Sequence, residues 1–134
     1  MKSIVCILVI FFSEKVCSQK IQNDCGLLSA TIHTQIFKDF FYIVKYSSNS
    51  LFIVDSLHLF ELCKIDSVCN REVIFLNKTN REDINTIHIY RVDKLPGNKS
   101  TIYFWNKYTG GTLILTIKKK KGAFIAYKYS MGAI

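Results

Sequence analysis

Residues 110–130 read GGTLILTIKKKKGAFIAYKYS. An apolar segment, four lysines, a glycine and an aromatic-rich segment follow one another. In Thr112–Ile117 the side chains of Leu113, Leu115 and Ile117 fall on one side of an extended chain, and Thr112, Ile114 and Thr116 on the other. In the second segment Ile125, Tyr127 and Tyr129 share a side, opposite Phe124 and Ala126. This period of two, with a glycine suited to positive φ between the segments, predicts a β-hairpin. The lysines then form its solvated tip, where they also discourage aggregation.

Working outward, the same pattern recurs. Ile, Val, Phe, Tyr and Thr dominate, alanine is scarce, and no long run shows helical periodicity with caps. The segments read as strands are Phe40–Tyr46, Leu57–Asp66, Glu72–Asn77, Ile84–Asp93, Thr101–Tyr108, Thr112–Ile117 and Ala123–Ser130. Short polar or glycine-bearing turns separate them. Regular short strands predict an all-β barrel or, alternatively, a β-sandwich.

The first residues bear on the compartment. Met1–Lys2 is a short basic start, and Ser3–Phe12 is apolar and uncharged. Val16 and Ser18 have the small-residue spacing of a signal-peptidase site, so residues 1–18 read as a secretory signal and 19–134 as one domain. The apolar run is about half the roughly twenty residues a membrane span needs. Asn77-Lys78-Thr79 and Asn98-Lys99-Ser100 are sequons for N-glycosylation, each in a polar stretch between apolar runs. Secretion to the extracellular space is therefore expected.

Cys25, Cys63 and Cys69 remain after the signal. An odd number in an oxidising compartment leaves one thiol over. Cys63–Cys69 closes the shortest loop and is the expected bridge, with Cys25 unpaired or an alternative partner. Cys-x5-Cys is no zinc pattern, and no metal site is expected. The net charge is +8 and becomes +7 when Lys2, Lys15 and Glu14 leave with the signal. That balance favours anionic partners. A secreted chain is not expected to meet nucleic acid. A weak contact with an anionic glycan or membrane surface through Lys118, Lys119, Lys120 and Lys121 is the accessory reading of the lysine run.

Asp24–Tyr46, DCGLLSATIHTQIFKDFFYIVKY, resembles the opening of a lipocalin, with a cysteine near the mature start and an aromatic cluster, Asp39-Phe40-Phe41-Tyr42, leading into the first strand. SSNSLFIVDSLHLFELC, ending at Cys63, is similar to that family's long first loop. STIYFWNKYTGGTLILTIKKKKGAFIAYKYS is similar to its later strands, with Lys118–Lys120 at the turn and Ile125-Ala126-Tyr127 at the exit. Asp39 stands where the family has glycine, Phe41 where it has tryptophan, and no cysteine follows Tyr129. Divergent arthropod lipocalins, salivary ones included, lose the same motifs. The resemblance implies an antiparallel up-and-down barrel of the calycin type, incomplete because the family's eighth strand and C-terminal helix have no counterpart. It implies Cys25 and Cys63 pairing with later cysteines, which this sequence lacks.

No catalytic constellation is found. His33, His58 and His88 are scattered, no nucleophile motif or phosphate loop is present, and no cofactor or enzymatic activity is expected. The candidate working residues are aromatic: Phe41, Phe75, Tyr90, Tyr103, Trp105 and Tyr127, from different strands. Facing a barrel interior, they would line a cavity for a small hydrophobic ligand. Acidic groups on the strands are sparse, which favours a lipid or eicosanoid over an amine. The first expected function is a secreted carrier or scavenger of such a ligand. The second is a β-rich interaction protein acting through its basic surface on a host or self protein.

Overall fold

The computed structural model describes residues 25–43, 49–60 and 62–133. The signal-segment reading and the end of the expected strand Phe40–Tyr46, residues 44–46, lie outside them. The chain is mostly β, as expected, and builds one six-stranded sheet. The strands are β1 (Leu51–Asp55), β2 (Val73–Leu76), β3 (Thr86–Leu95), β4 (Lys99–Trp105), β5 (Gly111–Lys120) and β6 (Ala123–Ala133). Their order is β2-β1-β3-β4-β5-β6, and the sheet is open, with β2 and β6 at its edges.

Two features depart from an up-and-down barrel. The strand β1 is parallel to both β2 and β3, and only β3 to β6 form an antiparallel meander. Parallel neighbours need crossover connections. Residues 56–72 cross on one face, where Phe60, Cys63 and Val68 are buried. Residues 77–85 cross on the other face, where the Arg81 guanidinium sits 3.9 Å from the centre of the Phe52 ring. The expected strand Leu57–Asp66 is therefore displaced: the pairing residues precede it, in β1, and most of the expected stretch forms the first crossover.

The second departure is helical. Residues 25–32 form α1, and α2 spans Gln35–Phe40. The Thr34 side chain caps α2 by accepting a hydrogen bond from Phe37 N at 3.2 Å. Tyr42, at φ 53, ends it in the left-handed region, and Ile43 N returns to Lys38 O at 2.9 Å. Leu28 and Ile32, then Phe37 and Phe41, recur every four residues and are all buried. That spacing holds the helices against the sheet, where Phe37 meets Phe104 edge-on with ring centres 5.0 Å apart.

The helix-facing side of the sheet carries Leu51, Ile53, Ile87, Ile89, Ile102, Phe104, Leu113, Leu115 and Ile117, all buried. Leu113, Leu115 and Ile117 share a side as the alternation predicts. In β6 the alternation breaks. The register passes from Thr116↔Lys128 to Ile117↔Ala126, so Tyr127 is the extra residue of a β-bulge. Ile125 and Tyr129, expected on one side, therefore lie on opposite faces, opposite Lys118 and Leu115 respectively.

The β5–β6 hairpin forms where expected, with one change. Lys118, Lys119 and Lys120 belong to β5, and the turn is only Lys121-Gly122, at φ 50 and 78. Two positive φ values in a two-residue loop match the twist of the flanking strands.

Cys25, in α1, bridges Cys63, in the first crossover, with Cα atoms 5.3 Å apart. The expected Cys63–Cys69 bridge does not form. Cys69 and Asn70, at φ 50 and 63, make a tight turn between Val68 and Arg71, and Cys69 is a free thiol. Arg71 anchors that turn, donating to Asn49 O at 2.7 Å and Asn85 Oδ1 at 2.6 Å. The Cys25–Cys63 bridge fits an oxidising compartment. No helix among the described residues is long and apolar enough to cross a membrane.

Candidate functional site

An uncovered groove lies between α2 and the edge of the sheet. The helices pack over β4 and β5 and reach β6 near Phe124, whose ring would stand 3.1 Å from a Cβ at Gly26. Further along β6, Tyr129 and Met131 point to the helix side, opposite Leu115 and Leu113, and stay 52% and 57% exposed. With Ile36, Phe40 and Tyr42 they line a groove of about 510 Å³, closed at its base by Gly111 and Gly132.

Each wall has a local cause. The Thr34 cap fixes where α2 starts, which sets Ile36 and Phe40 on the groove side. Gly111 permits the close approach, since a Cβ there would meet the Phe40 ring at 3.2 Å. Asn106 holds the preceding turn, accepting from Tyr108 N at 3.0 Å and Thr109 N at 3.1 Å and donating to Ile84 O at 3.0 Å. Among the described residues the only charged side chain in the lining is Asp39, whose Oδ1 accepts from Gln35 Nε2 at 2.7 Å. The groove is thus apolar with one acidic end, a surface suited to holding an apolar molecule by its side.

The aromatic residues expected to share a cavity do not meet. Phe41 is buried in the core beneath α2, and Phe75 packs on the helix side of β2. Tyr90, Tyr103 and Trp105 do assemble, but on the opposite, open face of the sheet. Tyr90 is the extra residue of the bulge between Ile89 and Arg91, and its ring lies 5.6 Å from that of Tyr103. Trp105 lies 5.7 Å from His88. Tyr127 sits on this face too, with Lys99 Nζ 4.1 Å above its ring. None of the six lines the groove.

The open face also carries a charged row. The Asp93 carboxylate accepts from Arg91 Nε at 2.9 Å and from the Tyr103 hydroxyl at 3.0 Å. The Arg91 hydrogen bond lowers the Asp93 pKa, and the Asp93 hydrogen bond raises that of Tyr103. His88 is shifted down from the ordinary imidazole value, first by burial and then by the charge of Lys107. Both expected glycan acceptors are exposed, Asn77 directly after β2 and Asn98 in the β3–β4 turn at φ 58.

The groove residues escape the sequence reading because it gives residues 35–39 no element and starts a strand at Phe40. One signal could have found them: Thr34 followed by apolar residues at 36, 37, 40 and 41 is an N-cap ahead of a helical stripe. The comparisons add no relative, for no family model, curated protein or solved structure matches the chain, and the resemblance to lipocalins rests on the quoted residues alone.

Proposed function

We propose that this is a secreted, non-catalytic binding protein that takes a small apolar ligand in the groove between α2 and β6. The observation that supports the reading is the pair Tyr129 and Met131. Both are large, both face the helix side, and both stay half exposed beside Ile36 and Phe40, while Leu115 and Leu113, their partners on β5, are buried. A closed barrel is not needed, because the groove is made by helix and sheet edge.

The groove alters the ligand class expected from the sequence. A free fatty acid would bring its carboxylate to Asp39, with no cation among the described residues of the lining to offset it. An apolar molecule with an amine or hydroxyl end fits better, since it can donate to that carboxylate. The lipocalin resemblance agrees with sequestration of a small ligand, and the N-terminal segment and the Cys25–Cys63 bridge agree with export.

Calorimetric titration of a long-chain alkylamine tests this. One saturable site is expected, with the chain-length-matched fatty acid binding at least about tenfold more weakly, a difference of ~1.4 kcal/mol. Absence of a saturable site for amine, alcohol and acid alike would refute the proposal.

A further inference from the structure

The lysine run divides between two faces. Alternate residues of a strand point to opposite sides. Lys119 faces the helices, its Nζ 5.3 Å from the centre of the Phe124 ring. Lys118 and Lys120 face the open side. Lys99 of β4 stands directly opposite Lys118, and Lys128 of β6 stands opposite Thr116. The hydroxyls of Thr101 and Thr116, 2.8 Å apart, show that these rows share the open face. Lys99, Lys118, Lys120 and Lys128, remote in sequence, thus form one patch.

Neighbouring strands lie about 4.8 Å apart and alternate residues of a strand about 6.8 Å apart. The four lysines therefore occupy an area of roughly 10 by 14 Å at the backbone. The acid nearest in register is Asp93, opposite Thr101, and it is already engaged by Arg91 and Tyr103. Four close ammonium groups with no available carboxylate among the described residues repel one another, and a multivalent anion relieves that repulsion.

We propose that this end of the open face binds an extended sulfated polysaccharide. The patch is flat, and its four cations suit anionic groups repeating along a chain. A lipid bilayer is less suited. Among the described residues of these rows the large exposed apolar side chains are Ile125, opposite Lys118, and Tyr127, whose ring lies under the Lys99 ammonium, while Tyr129 and Met131 point to the other face. The site is independent of the groove.

Two double variants with equal loss of charge test it: Lys99→Ser/Lys128→Ser, and Lys119→Ser/Lys121→Ser. The readout is the affinity for heparin at about 150 mM salt, and its salt dependence, with unfolding curves confirming that both variants fold. A polyanion site loses affinity as contacts are removed and its salt slope flattens. The first pair is expected to weaken binding at least about tenfold and the second less than about twofold, because Lys119 faces away and Lys121 lies in the turn. Should Lys99→Ser/Lys128→Ser fail to fold, Lys120→Ser/Lys128→Ser carries the same expectation. Equal losses in the two pairs, or capture of the protein by phosphatidylserine vesicles with none by heparin, would overturn the proposal.

Discussion

His88 and Trp105 stand opposite each other on β3 and β4, on the open side of the sheet. His88 Nε2 and Trp105 Nε1 are buried without a hydrogen-bond partner among the described residues. The folded protein holds the imidazole neutral longer than the unfolded chain does, because burial and Lys107 lower its pKa from 6.5. The sign follows. Between the two pKa values the unfolded chain binds more protons, so this contribution to stability is present above about pH 6.5 and is lost as pH falls through the folded value. Trp105 is the single tryptophan. Its emission is expected to fall with a midpoint below 6.5 as His88 acquires charge, and His88→Gln should abolish the step. A midpoint above 6.5 in the wild type would contradict the placement. The same scale shows what the sequence could not reveal. Tyr90 and Tyr127 were singled out as aromatics, but each is a bulge residue, and a bulge re-aims a side chain by one insertion that no alternation rule detects.

At the level of elements, the hairpin and the disulfide can be tested separately. Lys121 adopts φ 50, which costs a residue with a Cβ, whereas asparagine tolerates it. Lys121→Asn gives an Asn-Gly turn and is expected to stabilise the protein by up to about 1 kcal/mol in denaturant unfolding. Destabilisation would mean that the turn is of another type. Cys25 and Cys63 are 38 residues apart. Closing a loop of that size contributes ~4 kcal/mol by chain entropy, so Cys25→Ser should lower stability by that order. Cys69→Ser should cost under about 1 kcal/mol, since its thiol is free and only partly buried. Non-reducing peptide mapping that recovered Cys63 joined to Cys69 would contradict the fold. The strands β2 to β6 were legible because their apolar residues alternate and Gly97, Gly110 and Gly122 mark their turns. The helices were not, because residues 25–32 and Gln35–Phe40 each make only about two turns, too short to show a repeated helical period, and the packing of Leu28, Ile32, Phe37 and Phe41 secures them. The disulfide was missed for a related reason: loop length favours near cysteines, but α1 brings Cys25 to Cys63.

For the molecule as a whole, the layer structure decides where a ligand can go. Six strands in an open sheet, with two helices over one end of one face, leave no enclosed interior among the described residues. They leave a groove where the helices stop short of β6. The expected aromatic cavity assumed that inward faces of different strands converge, and an open sheet instead spreads them over two sides. The central claim is that Tyr129 and Met131 hold an apolar ligand beside Asp39. The most direct measurement is the dissociation constant of one long-chain alkylamine for the wild type, for Tyr129→Ala/Met131→Ala and for Tyr90→Ala/Tyr103→Ala. Both pairs remove exposed or half-exposed side chains, so the fold is expected to persist. Loss of two apolar contacts in the groove should weaken binding by ~2–4 kcal/mol, or roughly thirtyfold or more, while the open-face pair leaves it within about twofold. Undiminished binding to the groove variant, or loss confined to the open-face variant, would contradict the account.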